Sequence, residues 1–254
     1  MPAIDFVFIA VAALAAGFIN AIAGGGTLVT FPVLVALGLP PVSANVINTI
    51  ALVPGYLGGT LAQREDLRPQ TRRLVYLLPV AALGGLGGAL LLLASGDRLF
   101  SAIVPWLILA ASLLLALQSS LRSLLVRRAS AAGRTAVHPV WSLAPLVVAS
   151  VYGGYFGAGL SVIVLAALGL GSDESLTRLN ALKQAFAFVV NLAAALLFAF
   201  SGKARWPEIA VMATAALAGG WLGGRFAGRL KPAALRWTVV AIGLVVGLVY
   251  LTKK

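Results

Sequence analysis

A run of three glycines is the first place where this sequence offers groups for chemistry. Gly24, Gly25 and Gly26 precede Thr27, and Asn20 lies about one helical turn before them. Glycine allows sharp backbone turns. A helix that begins at Thr27 would direct free N–H groups and the positive end of its dipole at the break, an arrangement that binds anions. The alternative is close helix packing, which also uses small residues.

A second glycine-rich segment, residues 153–159, reads Gly-Gly-Tyr-Phe-Gly-Ala-Gly, and its Gly157 and Gly159 are candidates for the same role. A short apolar piece follows each segment, near 27–38 and near 159–170, and each piece ends in Gly-Leu. Both pieces are shorter than the roughly 20 residues of a spanning helix. We therefore expect broken or re-entrant half-helices beside the glycines.

Amide and hydroxyl side chains form a stripe along one helical face in each half of the sequence. In the first half the stripe and its flank comprise Asn45, Asn48, Thr49, Tyr56, Thr60 and Gln63. In the second half they comprise Asn180, Lys183, Gln184 and Asn191. Polar side chains in an apolar span face a cavity or the interior of a bundle. Either the stripes line a substrate pathway, or they join helices by hydrogen bonds. The candidate substrate ligands among the uncharged residues are Asn20, Thr27, Asn45, Asn48, Thr49, Asn180 and Gln184.

Lys183 is the sharpest single candidate. It would lie about two turns into a helix that begins near Thr177. A charge at that depth costs free energy and marks a functional site by default, here one that attracts an anion. The alternative is a lysine near a helix end that extends its ammonium group to the lipid headgroups.

Residue content excludes several other kinds of site. The 254 residues include no cysteine and one histidine, so thiolate chemistry and His-rich or Cys-rich metal sites are excluded. The acidic residues lie in loops or near the ends of apolar runs: Asp5, Glu65, Asp66, Asp97, Asp173, Glu174 and Glu208. The sequence has no catalytic-triad pattern and no nucleotide-binding loop. We predict neither an enzyme nor a bound cofactor or metal.

Hydrophobic residues make up 61% of the chain and charged residues 10%, which is more apolar side chain than a water-exposed surface accommodates. The apolar runs are long, continuous and rich in Ala, Leu and Gly. They predict an all-α polytopic membrane protein rather than a barrel. The predicted spans are 4–23, 43–62, 72–94, 98–118, 139–156, 179–200, 206–226 and 233–251. The net charge of +12 fits basic loops beside a membrane, and no soluble basic domain is predicted to bind nucleic acid.

The two halves of the chain resemble each other. Residues 34–39, Leu-Val-Ala-Leu-Gly-Leu, match residues 165–170, Leu-Ala-Ala-Leu-Gly-Leu. Further pairs follow in the same order: Asn45 with Asn180, Asn48 with Lys183, Thr49 with Gln184, and Gly84-Gly85 with Gly219-Gly220. We predict a first membrane repeat at 1–118, a basic linker at 119–138 and a second membrane repeat at 139–254. Repeats of this kind are usual in secondary transporters, which bind substrate at the repeat interface.

The short pieces allow two topologies. If they are re-entrant, the chain has eight spans, its ends share the cytoplasmic side with the basic loops, and an even count per half makes the repeats parallel. If they cross, the chain has ten spans, its ends lie outside, and the repeats are inverted. We favour eight spans because both pieces are below spanning length. Residues 1–5 lack the basic region of a cleavable signal peptide.

The segment from Gly17 to Pro32, Gly-Phe-Ile-Asn-Ala-Ile-Ala-Gly-Gly-Gly-Thr-Leu-Val-Thr-Phe-Pro, resembles the first repeat of the sulfite exporter TauE/SafE family. Residues 153–159 and 180–184 look like its second repeat, although the family pattern has more consecutive glycines there. The resemblance covers nearly the whole chain. It implies a two-repeat permease of the bacterial inner membrane for sulfite, related sulfur oxyanions or organosulfonates.

We accordingly expect a secondary transporter for a small, sulfite-like anion that works by alternating access between the repeats. Its expected partners are this substrate and the lipid bilayer, and a homo-oligomer is compatible with the sequence. Three alternatives stay open: a passive anion channel, a transporter of a small organic carboxylate, and a membrane scaffold that transports nothing by itself.

Overall fold

The computed structural model describes residues 2–131, 139–169, 174–226 and 232–252. The helices are α1 (Ala3–Ile22), α2 (Thr27–Ala36), α3 (Pro41–Ala62), α4 (Arg64–Leu67), α5 (Thr71–Ala131), α6 (Pro139–Tyr155), α7 (Leu160–Gly169), α8 (Leu176–Ala199), α9 (Trp206–Phe226) and α10 (Pro232–Thr252). A 3₁₀ turn, Arg68–Gln70, precedes α5. The end of the predicted linker, with His138, lies outside the described residues.

The described helices make this a multi-pass membrane protein, as predicted. Five helical segments are long and apolar enough to cross a bilayer: Ala3–Ile22, Arg64–Ser120, Thr177–Ala199, Trp206–Phe226 and Ala233–Thr252. The helix α3 is as long, with 22 residues, but it carries the polar stripe of the first half. Side chains such as Val75 and Leu83 are 71% exposed on the outer surface, whereas Asn45 and Gln184 are fully buried inside. This inside-out distribution suits lipid rather than water.

The long helix α5 is two helices joined at Gly96. This residue has φ 63° and ψ 176°, a backbone conformation that glycine tolerates because it has no Cβ. The predicted spans 72–94 and 98–118 fall on the two arms, residues 71–95 and 97–131. The second arm extends to the end of α1, where Gln118 Nε2 donates to the Ala23 carbonyl at 3.3 Å.

Helices α1 and α9 run side by side in the same direction. Leu14 packs against Gly219, and one turn further along both helices Phe18 packs against Gly223. Glycine is needed on α9 because any side chain at these positions would strike the backbone of α1. Close backbone approach of this kind is the usual basis of helix association in lipid.

Helix α3 runs in this direction too. Gly55 contacts Gly220, and Ala62 contacts Gly224 further along α9. Therefore α1 and α3 begin on the same side, and the chain between them must return along the full length of α1. The ten residues of α2 cover about 15 Å of that distance, and residues 23–26 and 37–40 cover the rest.

The second half follows the opposite course. Asn45, near the start of α3, donates to the Tyr155 carbonyl at the end of α6, at 3.0 Å. The loop after α8 lies on the same side, because Lys203 pairs with Asp97 at 3.6 Å and the Asp97 carboxylate accepts the Val42 N–H at 3.0 Å. Thus α6 and α8 both end where α3 begins, and both run opposite to α3.

These helix directions differ from those expected for eight spans and agree with those expected for ten, while the number of membrane spans stays a prediction. The eight-span prediction required each pass to be one continuous helix of spanning length. A pass made of a half-helix and irregular backbone is tolerated where surrounding protein covers it. The duplication itself stays a prediction.

The two halves interleave. α9, from the second half, packs against α1 and α3, while the first arm of α5 packs against α6 and α8. Gly85, on that arm, contacts Gly154 of α6 and Val190 of α8. One hydrophobic core runs through both halves.

Candidate functional site

The glycine run between α1 and α2 forms a fixed turn. Gly24 and Gly25 adopt φ of 83° and 94°, in the left-handed region that favours glycine. Asn20 holds the turn, because its Oδ1 accepts the Gly26 N–H at 2.7 Å. Asn20 is therefore occupied by the break itself. Gly26 has an ordinary φ of −55° and precedes Thr27, the first residue of α2.

A closed hydrogen-bond network joins α2 to α3. The Thr30 hydroxyl donates to Asn48 Oδ1 and lies 3.2 Å from the Gly26 carbonyl. The other end of the same amide, Asn48 Nδ2, donates to Thr27 Oγ1 at 3.3 Å. Both ends of the Asn48 amide are used, so the predicted ligands Asn48 and Thr27 serve here as contacts between helices.

The break between α6 and α7 is built differently. Gly157 and Gly159 adopt φ of 75° and 74°, as needed for a turn that begins a helix at Leu160. The Tyr152 hydroxyl donates to the Ala158 carbonyl at 2.6 Å. In this break a tyrosine hydroxyl donates to a backbone carbonyl, whereas in the first break the Asn20 side chain accepts from a backbone N–H.

The two breaks meet. A Cβ on Gly24 would lie 2.7 Å from Ser161 Cβ, at the start of α7. The second arm of α5 runs past both breaks, with Leu115 against Gly25 and Ala111 against Gly159. Contact between the breaks brings two helix N-termini from opposite halves into one region.

Many amides at the helix starts are already bonded, which differs from the prediction of free N–H groups. Backbone carbonyls accept from residues 28–30 of α2 and from residues 160, 162 and 163 of α7. Within the described chain, nothing accepts from the N–H groups of Gly25, Thr27, Ala158, Gly159 and Ser161. The amides left for an anion therefore lie within the breaks and at one position in each first turn.

Lys183 lies buried in α8, with 3% of its surface exposed. Among the residues that the structure describes, it makes no hydrogen bond and no ion pair. It matches Asn48 in the sequence alignment of the halves. Counted from the start of each helix, α7 carries Leu160 and Ile163 where α2 carries Thr27 and Thr30. The buried hydroxyl of α7, on Ser161, makes no hydrogen bond to Lys183 in the described structure. The snorkelling alternative does not fit a lysine this buried.

Gln184 is fully buried, and neither Nε2 nor Oε1 has a hydrogen-bond partner in the described structure. Its amide lies against Gly59 of α3, where a Cβ would collide with Nε2. A buried amide without partners costs about 1–3 kcal/mol for each lost bond. Such a group is expected to meet water or a ligand.

The remaining predicted ligands do not form one cluster. Asn180 Nδ2 donates to Gln63 Oε1 at 2.7 Å, at the end of α3. Asn45 lies at the other end of α3, about 27 Å away at 1.5 Å per residue. Thr49 is buried between these ends, 4% exposed. The polar residues therefore follow a path along α3 and α8.

Sequence reasoning missed a buried acid. Glu208 lies in the first turn of α9, near a helix end as predicted, yet it is 2% exposed and pairs with Arg205 at 2.8 Å. Its spacing of three residues from an arginine was the available signal. Lys183 and Glu208 are the charged residues that are buried as whole residues in the described structure, and of the two only Lys183 has no ion-pair partner.

Comparison with known proteins relates the chain to membrane transporters. A family model described as "Sulfite exporter TauE/SafE" matches residues 9–250. A "Probable membrane transporter protein" of Haemophilus influenzae is 28% identical over 210 residues, which cover 83% of this chain and 80% of that protein. "Probable membrane transporter protein ORF9" of Sinorhizobium sp is 28% identical, covering 87% and 82%. "Probable membrane transporter protein YfcA" of Escherichia coli K12 is 27% identical, covering 86% and 77%. No solved structure matches the chain significantly.

Proposed function

The chain belongs to the sulfite exporter TauE/SafE family of membrane transporters, and we propose that it is a secondary transporter of a small anion. The proposed substrate is sulfite or a related sulfur oxyanion or organosulfonate, carried by alternating access. The proposed location is a bacterial inner membrane, and the bacterial source of the relatives with transporter names supports the bacterial part of this proposal.

Lys183 is the observation that carries this proposal. A buried ammonium group pays a large desolvation penalty unless a counter-charge accompanies it. No acidic residue pairs with Lys183 in the described chain. A substrate anion is the counter-charge that the site lacks, and its binding would recover part of that penalty.

Two polar contacts at opposite ends of α3 are suited to open in turn. Asn180–Gln63 joins α8 to the end of α3, and Asn45–Tyr155 joins α6 to its start. Each contact links one half of the chain to the other. Rocking of inverted halves about the central breaks would separate one contact while keeping the other, as alternating access requires.

Sulfite flux into proteoliposomes that contain the purified chain tests the proposal. We expect saturable flux that responds to an imposed pH gradient. Sealed, correctly loaded vesicles without flux of sulfite, organosulfonates or carboxylates would contradict a transport function and would favour the scaffold alternative.

A counterflow measurement separates a carrier from a channel. Unlabelled substrate on the far side should accelerate entry of labelled sulfite, because a carrier returns faster when it is loaded. Flux without this acceleration would favour a passive channel. Competition by small carboxylates, with no effect of sulfite, would move the substrate class to organic acids.

A further inference from the structure

We propose that the substrate binds as a singly charged oxyacid that still carries one O–H, such as hydrogensulfite in its S–OH form, with Lys183 balancing its charge and Gln184 reading its hydroxyl. The inference rests on the proposed transport function and deepens it. It assigns the proton that crosses the membrane to the substrate itself.

The vacant amide of Gln184 defines what the ligand must offer. Nε2 is a donor and Oε1 is an acceptor, and both are buried without partners in the described structure. A fully deprotonated oxyanion has acceptors only, so it would leave Oε1 facing another acceptor. An oxyacid monoanion satisfies both atoms: its charged oxygen accepts from Nε2, and its O–H donates to Oε1.

The charge inventory around α8 points to one negative charge on the ligand. α3 and α7 carry no Asp, Glu, His, Lys or Arg, and the titratable group of α3 is Tyr56. On α6, Tyr152 and Tyr155 donate their hydroxyl protons to Ala158 O and Ser95 Oγ. Lys183 is thus the single buried charge that this region contributes.

The charged residues of the other elements packed on α8 lie at helix ends. They are Arg64, Glu65 and Asp66 on α4, and Arg72, Arg73, Asp97, Arg98, Arg122, Arg127 and Arg128 on α5, which also carries Tyr76. On α8 itself, Arg178 pairs with Glu174 at 3.0 Å near the start of the helix. One buried positive charge is balanced by a monoanion, whereas a dianion would leave one negative charge in a low-dielectric region.

The inferred transport step needs no carboxylate on the protein. The anion binds with its proton on one side and leaves with the same proton on the other, so each cycle moves one negative charge, one proton and no electrons. A pH gradient then drives flux by changing the monoanion concentration on each side.

The first test measures the half-saturating total sulfite concentration of Lys183→Arg in proteoliposomes across the pH range where hydrogensulfite loses its proton. Arginine stays charged throughout this range, so the protein's cation does not titrate. The half-saturating concentration should rise about tenfold per pH unit above the acid's own pKa, as the monoanion is depleted. A half-saturating concentration that stays constant or falls would overturn the inference.

The second test uses the natural lysine and a ligand without a hydroxyl. At slightly acidic pH, methanesulfonate is a monoanion that lacks O–H, and the site should prefer hydrogensulfite to it by at least about tenfold. Gln184→Leu should bring this preference near parity. Asn191→Leu is the matched control, because the Asn191 amide is buried on the same helix but donates to Ala187 O of its own helix. Equal preference in the wild type and Gln184→Leu would overturn the inference.

A third variant displaces the Gln184 side-chain amide while leaving Gln184 itself in place. Gly59→Ala places a methyl group against Gln184 Nε2, whereas at the adjacent Gly58 a Cβ would meet Leu217 Cδ1 at an ordinary 3.5 Å. Gly59→Ala should reduce the preference for hydrogensulfite, and Gly58→Ala should keep it. If the wild type shows no saturable flux of any anion, the proposed transport function is contradicted. If it shows saturable flux but does not prefer hydrogensulfite to methanesulfonate, only this further inference is contradicted.

Discussion

Gly24, in the break before α2, lies against Ser161, the second residue of α7, so closely that a Cβ on Gly24 would come within 2.7 Å of Ser161 Cβ. Ser161 directly follows the break between α6 and α7. Because of this contact, a displacement of one break should displace the other. Such coupling suits a protein whose two halves must change position together.

Gly24→Ala should lower stability more than Gly38→Ala. Both glycines have left-handed φ, 83° and 86°, so each alanine costs about 1–2 kcal/mol of backbone strain. Only Gly24 adds a collision, since nothing lies within 4 Å of a Cβ on Gly38. Thermal unfolding in detergent measures the difference, and Ser161→Gly added to Gly24→Ala should recover part of it. Equal melting temperatures for the two alanine variants would show that the breaks are not in contact.

Asn48→Ala should affect stability rather than substrate affinity. Both ends of the Asn48 amide are engaged by threonines of α2, so its removal should cost about 1–3 kcal/mol of unfolding free energy. The half-saturating sulfite concentration should change less than about twofold, because no group that meets the substrate is lost. A large rise in that concentration, with stability unchanged, would return Asn48 to the substrate site.

Gly219→Ala should disrupt the packing of α9 on α1. Its methyl group would enter the backbone of Leu14, whereas Gly87→Ala places a methyl group where nothing lies within 4 Å. Overpacking of this kind costs about 1–3 kcal/mol. Yield and melting temperature of the purified variants are the measurements, and Gly87→Ala should resemble the wild type. A Gly219→Ala variant of normal stability would contradict the interleaved arrangement.

Cysteine labelling can test the helix directions, because the chain has no native cysteine. Ala3 is the first residue of α1, and Glu65 follows the end of α3; both are exposed. An impermeant thiol reagent should reach Ala3→Cys and Glu65→Cys from opposite sides of the membrane. Labelling of both from one side would restore the eight-span topology.

Composition and apolar run length were enough to predict the helices. The runs near 4–23 and 206–226 coincide with α1 and α9 to within a residue, because lipid forces nearly every long apolar segment into a helix. The short pieces after the glycines were predicted as half-helices, and α2 and α7 are such helices with ten residues each. Their direction of crossing was not predictable from length, since it depends on which helices pack beside them.

The roles of the polar residues depend on neighbours that a sequence does not show. Asn48 and Lys183 occupy matching places in the two halves, yet Asn48 is hydrogen-bonded to the hydroxyls of Thr27 and Thr30, whereas Lys183 makes no hydrogen bond in the described structure. The burial of Glu208 was likewise hidden by its position in a first turn. Periodicity identified which residues face inward, but only contacts distinguish a structural hydrogen bond from a vacant one.

The most direct test of the account is the initial rate of sulfite flux in proteoliposomes containing wild type, Lys183→Ala or Lys183→Arg, each shown to be folded by its melting temperature. We expect Lys183→Ala to lose at least about 99% of the rate, equivalent to about 2.7 kcal/mol of lost stabilisation, and Lys183→Arg to retain measurable flux because the charge is kept. Wild-type kinetics in a folded Lys183→Ala variant would contradict the central claim that this buried cation binds the transported anion.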